Sequence, residues 1–473
     1  MLFTHPVFLF LFLPVLLLLH VVAPRRARNG LLLGSSLLFY LWGERVFVLV
    51  MLASILGNYG FGRWLGRTQE RGESAGGRRL IVTLAVVFNL GLLFYFKYLE
   101  WIWSTLGSAP SIHLPLGISF LTFQALSYIF DVYREEEVPQ RRLAPFALYL
   151  SLFPQLIAGP IVRYGSIARQ LVHRTIDVHD VFEGSRKFIL GLAKKVLIAD
   201  VLAAPVDAVF SLPGEQLSMG VAWVGVIGYT LQLYFDFSGY SDMAIGLGRI
   251  FGFRFDENFR HPYISRSVTE FWRRWHISLS SWFRDYVYIP FGGNRLGQAR
   301  TLVNLSAVFL LCGLWHGAAW NFVLWGAFHG AFLVLERVSK GPWSQGAPRP
   351  LQHLYVLLVV MFGWLLFRAP NLDAVGDMSK ALLGLNAVPL PLETVRTLIG
   401  QRVAIAFACG VLLSIPIYPL LLRWRARMDS SPARRLGAFG FDLTETVVLT
   451  GLFILCCMSV AASTYSPFLY FRF

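Results

Sequence analysis

Apolar runs of membrane-crossing character recur from one end of this 473-residue chain to the other. They fall near residues 6–23, 30–42, 46–61, 80–99, 116–133, 188–210, 217–248, 301–314, 318–337, 351–369, 403–422 and 443–462. A hydrocarbon layer about 30 Å thick takes roughly 20 apolar residues of helix to cross. Several runs are shorter than that and read as tilted or half-spanning elements. Charged residues make up 15% of the chain and hydrophobic ones 56%, against about 25% charged in soluble domains. Such a chain cannot cover a surface that faces water. It reads as an all-α, polytopic integral membrane protein, one membrane-embedded unit over residues 1–473.

The net charge is +15, from 42 Lys+Arg and 27 Asp+Glu. The basic residues sit in short loops between apolar runs, so the lipid bilayer and not nucleic acid is the implied surroundings. Arg25, Arg26 and Arg28 follow the first run, and Arg63, Arg67, Arg71, Arg78 and Arg79 the third. Residues 163–195 carry seven Lys/Arg, residues 249–300 nine Arg, and Arg423, Arg425, Arg427, Arg434 and Arg435 follow the eleventh run. By the positive-inside rule these loops are cytoplasmic. The connections 43–45, 101–115 and 211–216 carry almost no net charge and fall outside, as does the N-terminus. The first 22 residues lack a basic start, and Pro24 follows Val22-Ala23, so this segment reads as a retained span and not a removed signal peptide. Cys312, Cys409, Cys456 and Cys457 lie in apolar runs without metal-ligand spacing to histidine, and read as small core residues.

Four stretches carry polar chemistry. The block Phe271-Trp272-Arg273-Arg274-Trp275-His276-Ile277-Ser278 continues to Arg284-Asp285-Tyr286. Its mixture of Trp and Arg suits a membrane–water boundary, yet an anchor has no need of the titratable His276. Asp285 can orient its neighbour Arg284. The block Leu311-Cys312-Gly313-Leu314-Trp315-His316-Gly317-Ala318-Ala319-Trp320-Asn321 sets His316 between two apolar runs. An ionisable residue there is a functional hypothesis by default, because burying it is costly. A neutral imidazole is a general base, and Gly313 and Gly317 let a substrate or another helix approach. His329 reads as a support. In Tyr229–Asp242, the residues Asp236, Ser238 and Asp242 must face an interior. Asp236 and Asp242, six apart, fall on different faces of a helix and do not make a metal pair. Residues 146–162, with Pro154, Gly159 and Pro160, read as a broken, re-entrant element protected by surrounding protein. No P-loop, GxSxG, HExxH or CxxC pattern appears, which argues against a nucleotide-driven pump, a serine hydrolase and a zinc peptidase.

Together, Phe8–Pro14, PQLIAGPIVR at 154–163, Tyr234–Asp242, FWRRWHISLS at 271–280, RDYVYIPFGGNR at 284–295, Leu314–Ala318 and Ser466–Phe473 resemble the membrane-bound O-acyltransferase family, in its bacterial alginate O-acetylation branch. The resemblance implies about eleven or twelve transmembrane helices plus partial ones, with a catalytic core near residues 115–340. It implies catalytic roles for His316 and His276. Arg273, Arg274, Trp275, Arg284, Asp285, Asn294, Arg295, Trp315 and Asn321 are then candidate substrate-binding residues, and Asp236, Ser238, Asp242 and His329 supporting ones. It implies no bound cofactor and no metal. The donor is a cytoplasmic thioester, acetyl-CoA or another, and the acceptor an exported polysaccharide or a periplasmic acetyltransferase, at a bacterial inner membrane. A proton-coupled transporter or flippase, with His316, Asp236 and Asp242 as its proton path, is the rival from another class. A lipid O-acyltransferase is the rival within the family.

Overall fold

The computed structural model describes residues 2–107, 111–339, 346–386, 398–429 and 435–462. The block 466–473, Arg434 and residues 340–345 lie outside the described residues. Every regular element among those described is helical.

Five helical stretches are long and apolar enough to cross a membrane: Arg28–Glu70, Ala75–Thr105, Gly297–His316, Arg349–Arg368 and Gly440–Ala462. Gln401–Leu413 and Ile417–Arg427 form a sixth if taken together, bent by 57°. This is fewer than the eleven or twelve helices inferred above, for a physical reason. The interior helices are packed in protein and not lipid, so they can be too short to cross a membrane, as Ile118–Tyr133 with 16 residues is, or carry buried polar residues, as Met219–Ile250 does.

The central Met219–Ile250 helix is the clearest case. Its carboxylates are matched by lysines on the continuous helical stretch Val178–Phe210, which contains a π-helical segment at Lys194–Ala199. Lys195 Nζ lies 2.7 Å from Asp236 and 2.5 Å from Asp200. Lys194 and Lys187 reach Asp242 at 2.6 and 3.3 Å. A buried charge is tolerated when it is paired in this way. The two helices run antiparallel and touch backbone to backbone. A Cβ on Gly191 would meet Gly239 O at 2.6 Å, and one on Gly184 would meet Gly246 O at 2.7 Å. Glycines seven apart on each helix thus open a flat seam, as small residues do between membrane helices.

The 146–162 stretch is broken, as the prolines require. A helix over Leu143–Ser151 gives way to a single turn, Phe153–Leu156, and then to buried irregular backbone up to Arg163. Polar side chains satisfy its exposed backbone groups. Phe153 N donates to Ser36 Oγ (3.1 Å), Ile161 N to Ser278 Oγ (3.0 Å), and Tyr149 Oη donates to Val162 O (3.1 Å).

Gly297–His316 and Trp320–Val338 form a tight hairpin. Gly313 admits the backbone of Phe322 and Gly326, and Gly326 admits that of Phe309. The small residues beside His316 therefore serve helix contact on the Gly313 side, while Gly317 accommodates the Phe322 ring.

Replacing Gly239 by leucine should force the central seam apart and cost about 1–3 kcal/mol. Thermal unfolding in detergent would show this as a lowered midpoint. Gly60→Leu, at a position with nothing within 4 Å, should leave the midpoint unchanged.

Candidate active site

His316 is the last residue of its helix, where carbonyls lack intrahelical partners. A neighbouring element supplies them. Lys97 Nζ donates to Trp315 O (2.5 Å) and His316 O (3.0 Å), and Tyr98 Oη to Leu314 O (2.7 Å). A cation also suits the negative end of the helix dipole. Both capping residues lie in a π-helical turn, Phe94–Tyr98.

The His316 ring is boxed edge-on by Trp315 and Trp325, both 5.0 Å away between centroids, and by Phe367 at 5.2 Å. It lines a cavity of about 80 Å³ shared with Lys97, Pro115, Gly117, Ser119, Phe120 and Trp315. A larger cavity of about 420 Å³ runs along the same helix from Thr301 to Cys312. Its other walls include Trp272, Phe283 and three arginines, Arg273, Arg284 and Arg337. Cys312 and His316 are four residues apart, about 6 Å of helix rise. The two cavities thus approach within about one turn. Between them stands an aromatic septum: Trp315 packs on Phe123 at 5.3 Å, and Phe123 on Phe283 at 5.6 Å and flat on Trp282 at 3.8 Å.

His276 is fully buried and caps the Ile277–Phe283 helix in a left-handed conformation, φ 45° and ψ 54°. A non-glycine residue holds that conformation at a cost and needs surroundings that fix it. Asn258 does so. Its backbone carbonyl accepts from Ile277 N (2.9 Å). Its Oδ1 accepts from Ser278 N (3.1 Å) and Ser278 Oγ (2.9 Å), and lies 3.2 Å from His276 Nδ1. The Ser278 backbone N–H can only donate, so the side of Asn258 that faces it is the oxygen. Nδ1 of His276 then carries the proton, and Nε2 keeps its lone pair. Nε2 is buried without a hydrogen-bond partner among the described residues. The rings of His276 and His316 are bridged by Trp315, at 6.2 and 5.0 Å.

The other candidates sort by position. Arg273 and Arg284 line the large cavity. Arg274 turns away, to Glu270 (2.8 Å) and Arg260 O (3.1 Å). Trp275 is buried between Phe271, Phe259 and Trp364. Asp285 ties Arg284 (2.6 Å) to Arg163 (2.7 Å), joining the broken element to this block. Burial pushes its carboxyl up, and the hydrogen bonds and charges of the two arginines outweigh that and hold it below the ordinary value. Asn294 and Arg295 are exposed and outside both linings. Asn321 donates to Ala369 O (3.3 Å). His329 is buried against Trp272, Trp325 and Gly363, with neither ring nitrogen hydrogen-bonded among the described residues. Asp236, Ser238 and Asp242 stand on the central helix, the two acids in the ion pairs above. Asn258, Lys97 and Tyr98 are absent from the sequence-derived set. Lys97, a lone cation in an apolar run, was open to the rule that singled out His316. Asn258 sits in a polar loop and gives no signal.

Residues 140–375 match the model of the membrane-bound O-acyltransferase family. A probable alginate O-acetylase of Azotobacter vinelandii is 40% identical over the whole of both chains. The chain belongs to the membrane-bound O-acyltransferase family. A probable alginate O-acetylase of Pseudomonas putida is 41% identical, again over both chains entire. A peptidoglycan O-acetyltransferase of Helicobacter pylori is 35% identical over 82% of this chain and 81% of its own. The chain is accordingly a multi-pass membrane acyltransferase, and the resemblance read from its motifs holds.

Asn258→Leu should release His276 from its left-handed cap and lower acyl transfer by roughly 10²-fold, the scale of a misplaced reacting group. Label transferred from a thioester donor, normalised to protein in the membrane, would measure it.

Proposed function

We propose that this enzyme takes an acetyl group from a cytoplasmic thioester, acetyl-CoA or a related donor, and delivers it across a bacterial inner membrane for O-acetylation of an exported polysaccharide. A periplasmic partner protein completes the transfer. The observation that carries this reading is the pair of cavities that approach each other at the turn holding Cys312 and His316. The large cavity has arginines in its walls, suited to donor phosphates, and it opens beside the 249–300 loop, whose charge puts it in the cytoplasm. The small cavity borders residues 114–117, next to a connection whose lack of charge puts it outside. The N-terminus is then periplasmic. The names of the relatives, which act on alginate or peptidoglycan, support a polysaccharide as the final acceptor.

In this reading His316 is the general base. It faces the outer cavity, where an acceptor hydroxyl arrives, and takes the proton as oxygen attacks the thioester carbonyl. His276 works differently. With its proton on Nδ1 it offers a lone pair at Nε2, so it accepts a hydrogen bond and positions the donor or acceptor. It does not donate to a developing oxyanion. Tight aromatic walls limit water and so limit hydrolysis of the donor. The core near residues 115–340 would hold all of these parts except Lys97 and the wall at Phe367.

His316→Ala that still accumulates in the membrane should lower polymer acetylation by about 10²-fold or more. The acetyl-ester content of the exported polymer, measured in a strain whose own copy is replaced, gives the answer. Unchanged acetylation would remove His316 from the mechanism.

A further inference from the structure

Acyl transfer builds negative charge on the carbonyl oxygen, and stabilising that charge is commonly the largest contribution to catalysis. The donor must be rigid, water-shielded and near the base. His276, with a bare Nε2, is not that group. Lys97 lies in the cavity that His316 lines. Resting on the base assignment above, we propose that Lys97 is a catalytic residue whose ammonium stabilises the oxyanion.

Three observations carry this. The first is the count of donors. An ammonium has three N–H bonds. Two go to Trp315 O and His316 O, and no oxygen or nitrogen acceptor among the described residues takes the third, beside which the Trp315 ring lies 5.8 Å from Nζ. The second is charge. Among the described residues no carboxylate pairs with Lys97, whereas Lys187, Lys194 and Lys195 are each matched by acids. A cation inside an apolar bundle without a counter-ion is costly, and the carbonyls at a helix end offset only part of that cost. An anion that exists only in the transition state completes the balance, and an interaction gained only there accelerates the step. The third is geometry. Lys97 is tied to the backbone of His316 itself, so the cation and the base move as one unit. The π-helical turn at Phe94–Tyr98 turns it there, a distortion common at functional sites. A cavity of about 80 Å³ is on the scale of an acetyl group and a hydroxyl.

The acceptor oxygen bonds to the carbonyl carbon while His316 takes its proton. The carbonyl π pair moves to oxygen, where the third N–H of Lys97 meets it. The pair returns, the C–S bond breaks, and the thiolate recovers the proton from His316. An ester and a thiol result, and Lys97 keeps its protons throughout.

The test uses membrane vesicles of the producing strain, with the full chain, its natural acceptors, and labelled acetyl-CoA as the donor probe. Lys97→Met should lower the maximal rate of label transfer by about 10²–10³-fold, with KM for acetyl-CoA within about threefold. Its thermal midpoint in detergent should stay within a few degrees of wild type. Added ethylammonium should restore part of the rate to Lys97→Ala. Tyr98→Phe, which removes the adjacent cap and no charge, should lose at least about tenfold less of the rate than Lys97→Met does. The proposal is overturned if Lys97→Met keeps its rate. It is also overturned if the loss is matched by Tyr98→Phe or by a fallen midpoint, either of which marks Lys97 as a helix cap alone. His316→Ala run alongside separates the two ideas: a dead His316 variant beside an active Lys97 variant removes only Lys97.

Discussion

A backbone group or a charge inside this bundle is costly unless it finds its partner within the protein, because lipid supplies none. The rest of the structure follows from that requirement. The broken segment after Ser151 exists because Ser36, Tyr149 and Ser278 take up its backbone groups. The central helix can be polar because lysines on its antiparallel neighbour match its acids. Some polar groups are left over even so, the His329 ring nitrogens among them, and of these the proposed mechanism uses the lone pair on His276 Nε2 and the third N–H of Lys97.

Hydrogen-bond satisfaction and the candidate site meet at two residues. Ser278 donates its backbone N–H to Asn258 and accepts from Ile161 through its hydroxyl. It thereby couples the broken element to the turn that sets the His276 tautomer. Lys97 does the same for the other histidine, by binding the carbonyls at the end of its helix. The site is assembled from backbone ends, held by side chains distant in sequence. That suits a reaction in which a small error of placement is costly.

Much of this was legible in the sequence. Apolar runs marked the helices at the lipid boundary, and the cost of an ionisable ring in such a run marked His316. The prolines at 154 and 160 marked the broken element. Apolar runs at 116–133 and 217–248 marked interior helices as well, but a run of residues does not say which lysine will face Asp236. The left-handed backbone at His276 has no local signature such as glycine. The role of Asn258 depends on a fold that brings it to Ser278, twenty residues on. Lys97 was visible by the same rule as His316 and was passed over inside the 80–99 run.

The septum formed by Trp315, Phe123 and Phe283 has a consequence for the electrical integrity of the cell. Two recesses that approach within about one helical turn leave a thin place in the insulating layer, where a membrane potential falls over a short distance. Indole and phenyl rings occupy it, in contact with one another at 5.3 and 5.6 Å. If the two recesses open to opposite sides, as proposed above, an acyl group crosses this place by an exchange of bonds.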